Sequence, residues 1–533
     1  MNNSKRRGSK NRGLLHKIYC KLLGRTGLGC EREMNSADIA RQTRNIADSG
    51  ELGNNALHIK LFENIDQVKQ IAGKNSDWVI RSFICGKNRS IAMAIVYIQG
   101  LADKNYIQQM MNDLLEDMEE YDAPNDLLSK QEVFEYIQTL HLSGSKYIEI
   151  TDFDKLCQQL MSGNTILLLD GLSKSLALSS GGSEGRSISA PSSQGVLRGP
   201  QEGFVEKIAT NKTLIRKIIK DSKLQIEDKI IGRVTKTSVA VVYIKGICDD
   251  SLVEEINSRL EKIAVDGILE SGNIEELIQD GAFSIFPTVL NTERPDTVAA
   301  ELLNGRIAIL VDGTPFVLIV PAVFVQFFQA SEDYYNNFII SSLIRMLRYA
   351  AFLLALFVPA LYIVLTTFHI EMIPTVLLIN IAAQREGAPF PTIIEAILLE
   401  ATFEIFREAS IRMPKAIGSA ISMVGGLIIG QAAVEAGIVS EGMLIVVALT
   451  NMSSFLLPYY CMSFAVRILR YVFMALAASF GLFGIFIGLM GMLFHLCSLR
   501  SLGVPYMEPL SPRVRKIQHD AILRLPLNRE EVE

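Results

Sequence analysis

The spacing of apolar and polar positions divides the chain near Arg348. Before it, short runs rich in Val, Ile and Leu alternate with stretches whose apolar residues recur at helical spacing. That is the pattern of buried strands separated by amphipathic helices. After it, residues 349–368, 416–434, 442–466 and 471–499 contain no Asp, Glu, Lys or Arg. A helix rises about 1.5 Å per residue and must cross about 30 Å of hydrocarbon, so roughly twenty such residues make a span. The fold class expected is therefore an α/β soluble N-terminal region joined to an all-α polytopic transmembrane bundle.

The soluble part reads as a duplication. Ala94-Ile-Val-Tyr-Ile-Gln-Gly100 followed by a helical pattern matches Ala240-Val-Val-Tyr-Ile-Lys-Gly246 followed by another. Further on, Thr165-Ile-Leu-Leu-Leu-Asp-Gly171 matches Ile307-Ala-Ile-Leu-Val-Asp-Gly313 in the same order. Each copy reads strand, helix, further helix, strand, which predicts two similar small α/β subdomains. Between them residues 179–195 are mostly Ser and Gly, which bury almost nothing and form a linker. Gly171 and Gly313, each after an Asp at a strand end, read as tight turns, since neither sits in a GxGxxG or GK[ST] motif.

Within the membrane half, 372–384 is apolar but too short to cross untilted, and reads as re-entrant or buried in protein. Pro374, Leu378 and Ile379 in it are candidate gate residues. The following segment carries Glu400, Glu404, Arg407 and Glu408 on one helical stripe, opposite Ile394, Leu398, Ala401 and Ile405. A charge at the bilayer centre costs at least about 2.5 kcal/mol, so lipid exposure is excluded. Three readings stay open for the stripe: a pore or vestibule lining, a helix lying at the headgroups, or a structural salt-bridge network. Gly426 with Gly430, and Gly484 with Gly488, are GxxxG pairs and candidate helix-packing positions.

Composition adds boundaries. The formal charge is -5, which argues for no nucleic-acid partner, although Lys5, Arg6, Arg7, Lys10 and Arg12 make the start locally basic. That tail is suited to anionic membrane lipid. The seven cysteines are scattered with no CxxC pair, as in a reducing compartment. The expected organisation is a basic tail at 1–53, subdomain 1 at 54–178, a linker at 179–202 and subdomain 2 at 203–320. An amphipathic connector at 321–348, a transmembrane domain at 349–499 with re-entrant and amphipathic segments at 372–411, and a cytoplasmic tail at 500–533 complete it. Arg345 and Arg348 precede the first span, and Arg500, Arg513, Arg515 and Lys516 follow the last. Four crossings put both clusters on one side, which the excess of basic residues makes cytoplasmic. Arg467 and Arg470 then fall on the other. No HExxH or Walker loop occurs, so no catalytic residue, metal ligand or cofactor is expected, and the chain reads as a non-enzyme.

Several motifs carry a family resemblance. Arg198-Gly-Pro-Gln-Glu-Gly-Phe204, Asp312-Gly-Thr-Pro-Phe-Val-Leu-Ile-Val-Pro321 and Phe327-Phe-Gln-Ala-Ser-Glu-Asp-Tyr-Tyr335 lie in the first part. Ile381-Ala-Ala-Gln-Arg-Glu-Gly387, Pro389-Phe-Pro391, Arg407-Glu-Ala-Ser-Ile-Arg-Met-Pro-Lys415 and Gly430-Gln-Ala-Ala-Val-Glu-Ala-Gly-Ile-Val-Ser440 lie in the second. Together they resemble the A subunits of GerA-type spore germination receptors; the related SpoVAF proteins share the architecture. Ser410 departs from that family's Arg-Glu-Ala-Gly pattern. The resemblance implies a nutrient-sensing complex in the inner membrane of a dormant spore, with B and C subunits as partners. It implies that nutrient detection is coupled to ion release, the A subunit forming an oligomeric channel. From the residues alone, a secondary transporter and a membrane signalling scaffold remain as alternatives.

Overall fold

The computed structural model describes residues 56–85, 91–119, 127–140, 147–182, 190–191, 193–281, 283–386, 389–412, 430–511 and 520–526. The first sheet is preceded by helix α1 (Leu61–Ala72) and contains β1 (Trp78–Cys85), β2 (Ile91–Ile98), β3 (Tyr147–Ile150), β4 (Thr165–Leu169) and β5 (Ser175–Leu178). Between its strands run α2 (Lys104–Glu119), α3 (Leu127–Leu140) and α4 (Phe153–Met161). The second repeats the series: α5 (Ile208–Ile218), β6 (Leu224–Ile231), β7 (Thr237–Ile244), α6 (Asp250–Glu261), α7 (Ser271–Ile278), β8 (Leu290–Thr292), α8 (Pro295–Leu303), β9 (Ile307–Val311) and β10 (Val317–Val320). Their strand orders, β1-β2-β4-β5-β3 and β6-β7-β9-β10-β8, are the same order, and every pairing is antiparallel.

The duplication extends to register and to single polar groups. Val79 faces Tyr97 in one sheet and Gln225 faces Tyr243 in the other. The turn aspartates bind helix starts: Asp170 Oδ1 accepts the Leu61 N–H and Asp312 Oδ1 the Ile208 N–H, each at 3.0 Å. Gly171 and Gly313 follow them at φ 89° and 91°, the left-handed turn that Gly adopts without strain. Asn64 exchanges two hydrogen bonds with the backbone of His58, and Asn211 does the same with Val205.

The inner strands β2, β4, β7 and β9 are apolar almost throughout because helices cover both faces. Ala94, Val96, Ile98, Ile166 and Leu168 pack on α1 and α4, while the alternate residues Met93, Ile95, Tyr97, Leu167 and Leu169 pack on α2 and α3. In the second sheet Val239, Val241, Ile307 and Ile309 pack on α6 and α7. The opposite face, Ala240, Val242, Ala308 and Leu310, packs on α5 and α8. Its hydrophobic cluster continues without a break through Phe324, Phe327 and Phe328 into the long helices beyond. The two sheets are joined by a buried bidentate pair, Arg216 Nε to Asp77 Oδ2 at 2.8 Å and Nη2 to Oδ1 at 3.1 Å.

After a short helix α9 (Glu332–Tyr335) come α10 (Phe338–Thr367), α11 (Thr375–Glu386), α12 (Thr392–Arg412), α13 (Glu441–Phe455) and α14 (Tyr460–Ser498). Both α10 and α14 are long and apolar enough to cross a membrane. Two sequence expectations are corrected. The stretch 442–466 is not one helix: α13 stops at Phe455 and α14 begins at Tyr460, because Pro458 lacks an N–H and forces the residue before it out of helical geometry. The stretch 471–499 is not straight either. At Gly481 the backbone takes φ 61°, ψ -141° and the helix folds back on itself. A Cβ on Gly488 would come within 2.7 Å of Phe473 Cε1, so the arms 460–480 and 482–498 lie against each other.

The chain leaves the membrane half where it entered. The β11 (Arg500–Ser501) and β12 (Val504–Pro505) hairpin seats on the second sheet, Ser501 Oγ donating to the Thr288 carbonyl at 2.6 Å. The Tyr506 carbonyl accepts the Phe324 N–H at 2.8 Å.

Candidate functional site

Four membrane-half helices converge on a buried charged network. Glu400 on α12 and Arg470 on α14 are each 1% exposed and meet at 2.6 Å, Oε2 to Nη1. Arg470 Nε also donates to the Ala355 carbonyl of α10 at 2.9 Å. Asn451 of α13 lies beside both, 3.4 Å from each. One turn along, Glu404 Oε2 accepts from Arg467 Nη1 at 2.6 Å. Arg407 donates to Ser454 Oγ at 3.2 Å. The register explains the match: Glu400 and Glu404 are four apart on one helix, Arg467 and Arg470 three apart on the other, so each pair shares a face.

The network is incompletely satisfied from within the chain. Glu400 Oε1, Arg407 Nη1, Arg467 Nε and Nη2, and Arg470 Nη2 are buried and have no partner among the described residues. Aromatic rings flank the outer arginines. Arg407 Cζ lies 4.6 Å from the Phe455 ring centroid and Arg467 Cζ 4.0 Å from that of Phe464.

The sequence candidates separate in space. Glu400 is sealed inside, Glu404 is partly buried at the edge, and Glu408 is exposed and paired with Arg412 at 2.6 Å. The stripe therefore does not present one uniform face to water. Pro374 and Ile379 are exposed and Leu378 half-buried on α11. A Cβ on Gly484 would meet the Leu476 carbonyl oxygen at 2.1 Å, inside the α14 hairpin, whereas one on Gly430 would make ordinary contact with Leu444 at 3.4 Å. Gly426 lies outside the described residues.

Two functional-looking groups escaped the sequence reading. Glu395, fully buried, caps α13, its Oε2 accepting the Ser440 N–H at 3.1 Å and the Ser440 hydroxyl at 2.8 Å. At the start of α10, Arg345 and Arg348 are not free flanking charges: both pair with Asp333 Oδ2, at 3.3 and 2.7 Å, and Arg345 also binds Asp520 Oδ1 at 2.9 Å. The 520–526 segment is held further by Tyr349, which donates to the Ala521 carbonyl at 3.1 Å, and by Gln329, which donates to that of Asp520 at 2.9 Å. Asp520, 175 residues from Arg345, leaves no local signal.

A duplicated antiparallel α/β region whose core runs into apolar helices of membrane-crossing length, with charge buried among them, defines the class of membrane proteins that carry an α/β domain. Residues 66–532 match the model of the Bacillus/Clostridium GerA spore germination protein family, and the chain belongs to that family. It is 48% identical over 469 residues to spore germination protein KA of Bacillus subtilis (strain 168), covering 87% of this chain and 84% of that one. It is 40% identical over 495 residues to the uncharacterized membrane protein YfkQ of the same organism, covering 92% and 94%. Spore germination protein GerLA of Bacillus cereus is 37% identical over 470 residues, covering 88% and 94%. Among solved structures, the N-terminal domain of the A subunit of the Bacillus megaterium spore germinant receptor GerK3 is 42% identical, with a TM-score of 0.40, covering 51% of this chain and 98% of that one.

Proposed function

We propose that this chain is the A-type membrane subunit of a germinant receptor, acting with B and C subunits in the spore inner membrane to trigger germination. The observation that carries the reading is the near end-to-end likeness to spore germination proteins. In this reading several copies assemble around an ion path, and nutrient binding on a partner stabilises the open state by differential affinity. Glu404, at the exposed edge of the charged network, is the candidate lining group and Glu400 its buried support, with Arg407 and Glu408 nearer the helix end. The exposed apolar face of α11, with Pro374, Leu378 and Ile379, is the candidate gate. The N-terminal region and the C-terminal tail are both placed in the cytoplasm. Support comes from the hydrogen bond of Tyr335 on α9 to Asp296 on α8 and of Ser501 to the Thr288 carbonyl, which tie both ends of the membrane half to the second α/β unit, together with the basic residues at both ends.

The test is reconstitution of the full complex in liposomes with nutrient added. Glu404→Gln is expected to lower cation conductance or selectivity with assembly intact, and Ile379→Ser to leak without nutrient. Wild-type flux in both, at normal assembly, would remove the network and α11 from the ion path. Reporters fused before Ala56 and after Glu533 should both read cytoplasm.

A further inference from the structure

The charged network does not balance itself. Arg407, Arg467 and Arg470 lie within Coulomb range of one another and, among the described residues, pair with two carboxylates, Glu400 and Glu404. Glu408 is exposed and already paired with Arg412. Residues 413–429, which continue the chain beyond α12, contain no Asp or Glu. One positive charge is therefore left over among apolar helices, where an uncompensated charge is costly. Water would satisfy the unpartnered N–H groups of Arg407 Nη1, Arg467 Nε and Arg467 Nη2, yet would leave that charge. An anion from outside the chain does both.

Position along the helices indicates which anion. The hydrogen bonds that Ser440 donates to Glu395 and Arg407 donates to Ser454 show that α12 and α13 run the same way. The end of α13 leads to Tyr459, which packs on Phe327 at 5.9 Å, so this end faces the sheets. Arg407 lies about 8 Å along its helix from Arg412, and Arg467 about 10 Å from Tyr460, at 1.5 Å per residue. Both sit near the level of a lipid headgroup boundary, unlike Arg470, which is sealed deeper against Glu400. The rings of Phe455, Phe464 and Tyr460 beside them are exposed, and Tyr460 is of the residue type that settles at that boundary.

We propose that Arg407 and Arg467 form a phosphate-binding site occupied by the headgroup of an anionic phospholipid. The planar guanidinium fork matches two phosphate oxygens at once, and a lipid of net negative charge neutralises the excess that a zwitterionic one leaves. The aromatic rim receives the glycerol and upper acyl chain. The site is independent of whether the chain conducts ions.

The experiment uses full-length protein in phosphatidylcholine nanodiscs, titrated with phosphatidylglycerol and separately with inorganic phosphate. Retained lipid is counted by native mass spectrometry and stability is read by thermal unfolding. Phosphatidylglycerol is expected to be retained and to raise the melting temperature. Arg407→Gln should weaken retention about tenfold or more, Arg407→Lys should do so less, and Arg412→Gln should not. Inorganic phosphate binding as well as the lipid, with the same dependence on Arg407, would keep the phosphate site but overturn the lipid as its source. Wild-type protein with no preference for phosphatidylglycerol over phosphatidylcholine would overturn the proposal without any variant. So would undiminished retention by folded Arg407→Gln, or stabilisation that follows protein concentration alone, which would assign the charge to an acidic group of another chain.

Discussion

Replacing Arg470 with Met removes the centre of the buried network and leaves the Glu400 carboxyl buried with no cation to face. Both groups are 1% exposed and 2.6 Å apart, so at an effective dielectric of about 20 their attraction is roughly 6 kcal/mol before desolvation. Most of that offsets the cost of taking the charges out of water, and breaking one side of such a pair typically costs about 3–5 kcal/mol. The upper half of that range is expected here, because Arg470 also satisfies the Ala355 carbonyl of α10. Glu400→Gln should cost less, since the amide oxygen still accepts from Arg470. The double variant Glu400→Gln/Arg470→Met should cost less than the sum of the two single variants, by a coupling of about 2–3 kcal/mol. Chemical unfolding of the purified full chain in micelles, followed by circular dichroism, measures all three. Single substitutions each costing under about 1 kcal/mol, or a double variant equal to the sum of the singles, would refute a desolvated pair.

Other consequences follow from particular contacts. Burial pushes the Glu275 carboxyl up to about 7, with Glu270 adding to the rise and Asn291 opposing it. The folded protein then keeps a proton that the unfolded chain releases near 4.5, so stability should fall as pH rises between these values, by at most about 3 kcal/mol, and level off above. Glu275→Gln should flatten that slope in denaturant titrations across pH. Gly481→Ala should destabilise by about 1–3 kcal/mol, since a side chain does not tolerate its turn, whereas Gly491→Ala, with open space around it, should be neutral or slightly stabilising in a thermal shift assay. Asp520→Asn should cost about 1–3 kcal/mol by depriving the fully buried Arg345 of one anion. It should also speed tryptic release of the C-terminal tail, and tail release at the wild-type rate would exclude the clamp.

The repeat was readable because its cause is local. Strands covered on both faces must be apolar at every position, so runs such as Ile166 to Leu169 stand out, and the turn Asp170-Gly171 marks their end. Helix breaks were harder. Pro458 sits in an apolar stretch that remains charge-free across it, and composition counts the stretch as one span. Gly481 is one of several glycines in its helix, and nothing in the sequence singles it out as the turn. Lipid-facing and buried positions are equally apolar in such helices, so the inward face of α10 carries no periodic signal. Arg467 and Arg470, read as flanking charges, seemed to sit on the wrong side of the membrane. Their partners lie 63 and 70 residues away, and only the packing of α12 against α14 shows that they are paired groups outside the charge count for orientation.

The same packing gives the two halves a mechanical relation. The second sheet's lower face, the Phe324–Phe328 turn, α10 and both arms of α14 share one hydrophobic cluster, and close-packed cores transmit strain instead of absorbing it. Asp333 ties Arg345 and Arg348 at the head of α10, and Asp520 ties the C-terminal tail to the same Arg345. Farther along α10, the Ala355 carbonyl is bound by Arg470, which holds Glu400 on α12. A displacement of the second sheet therefore reaches the buried glutamate through α10 and through α14, with no soft layer between. The first sheet is attached differently, through the single buried Arg216–Asp77 pair and a few strand-edge hydrogen bonds.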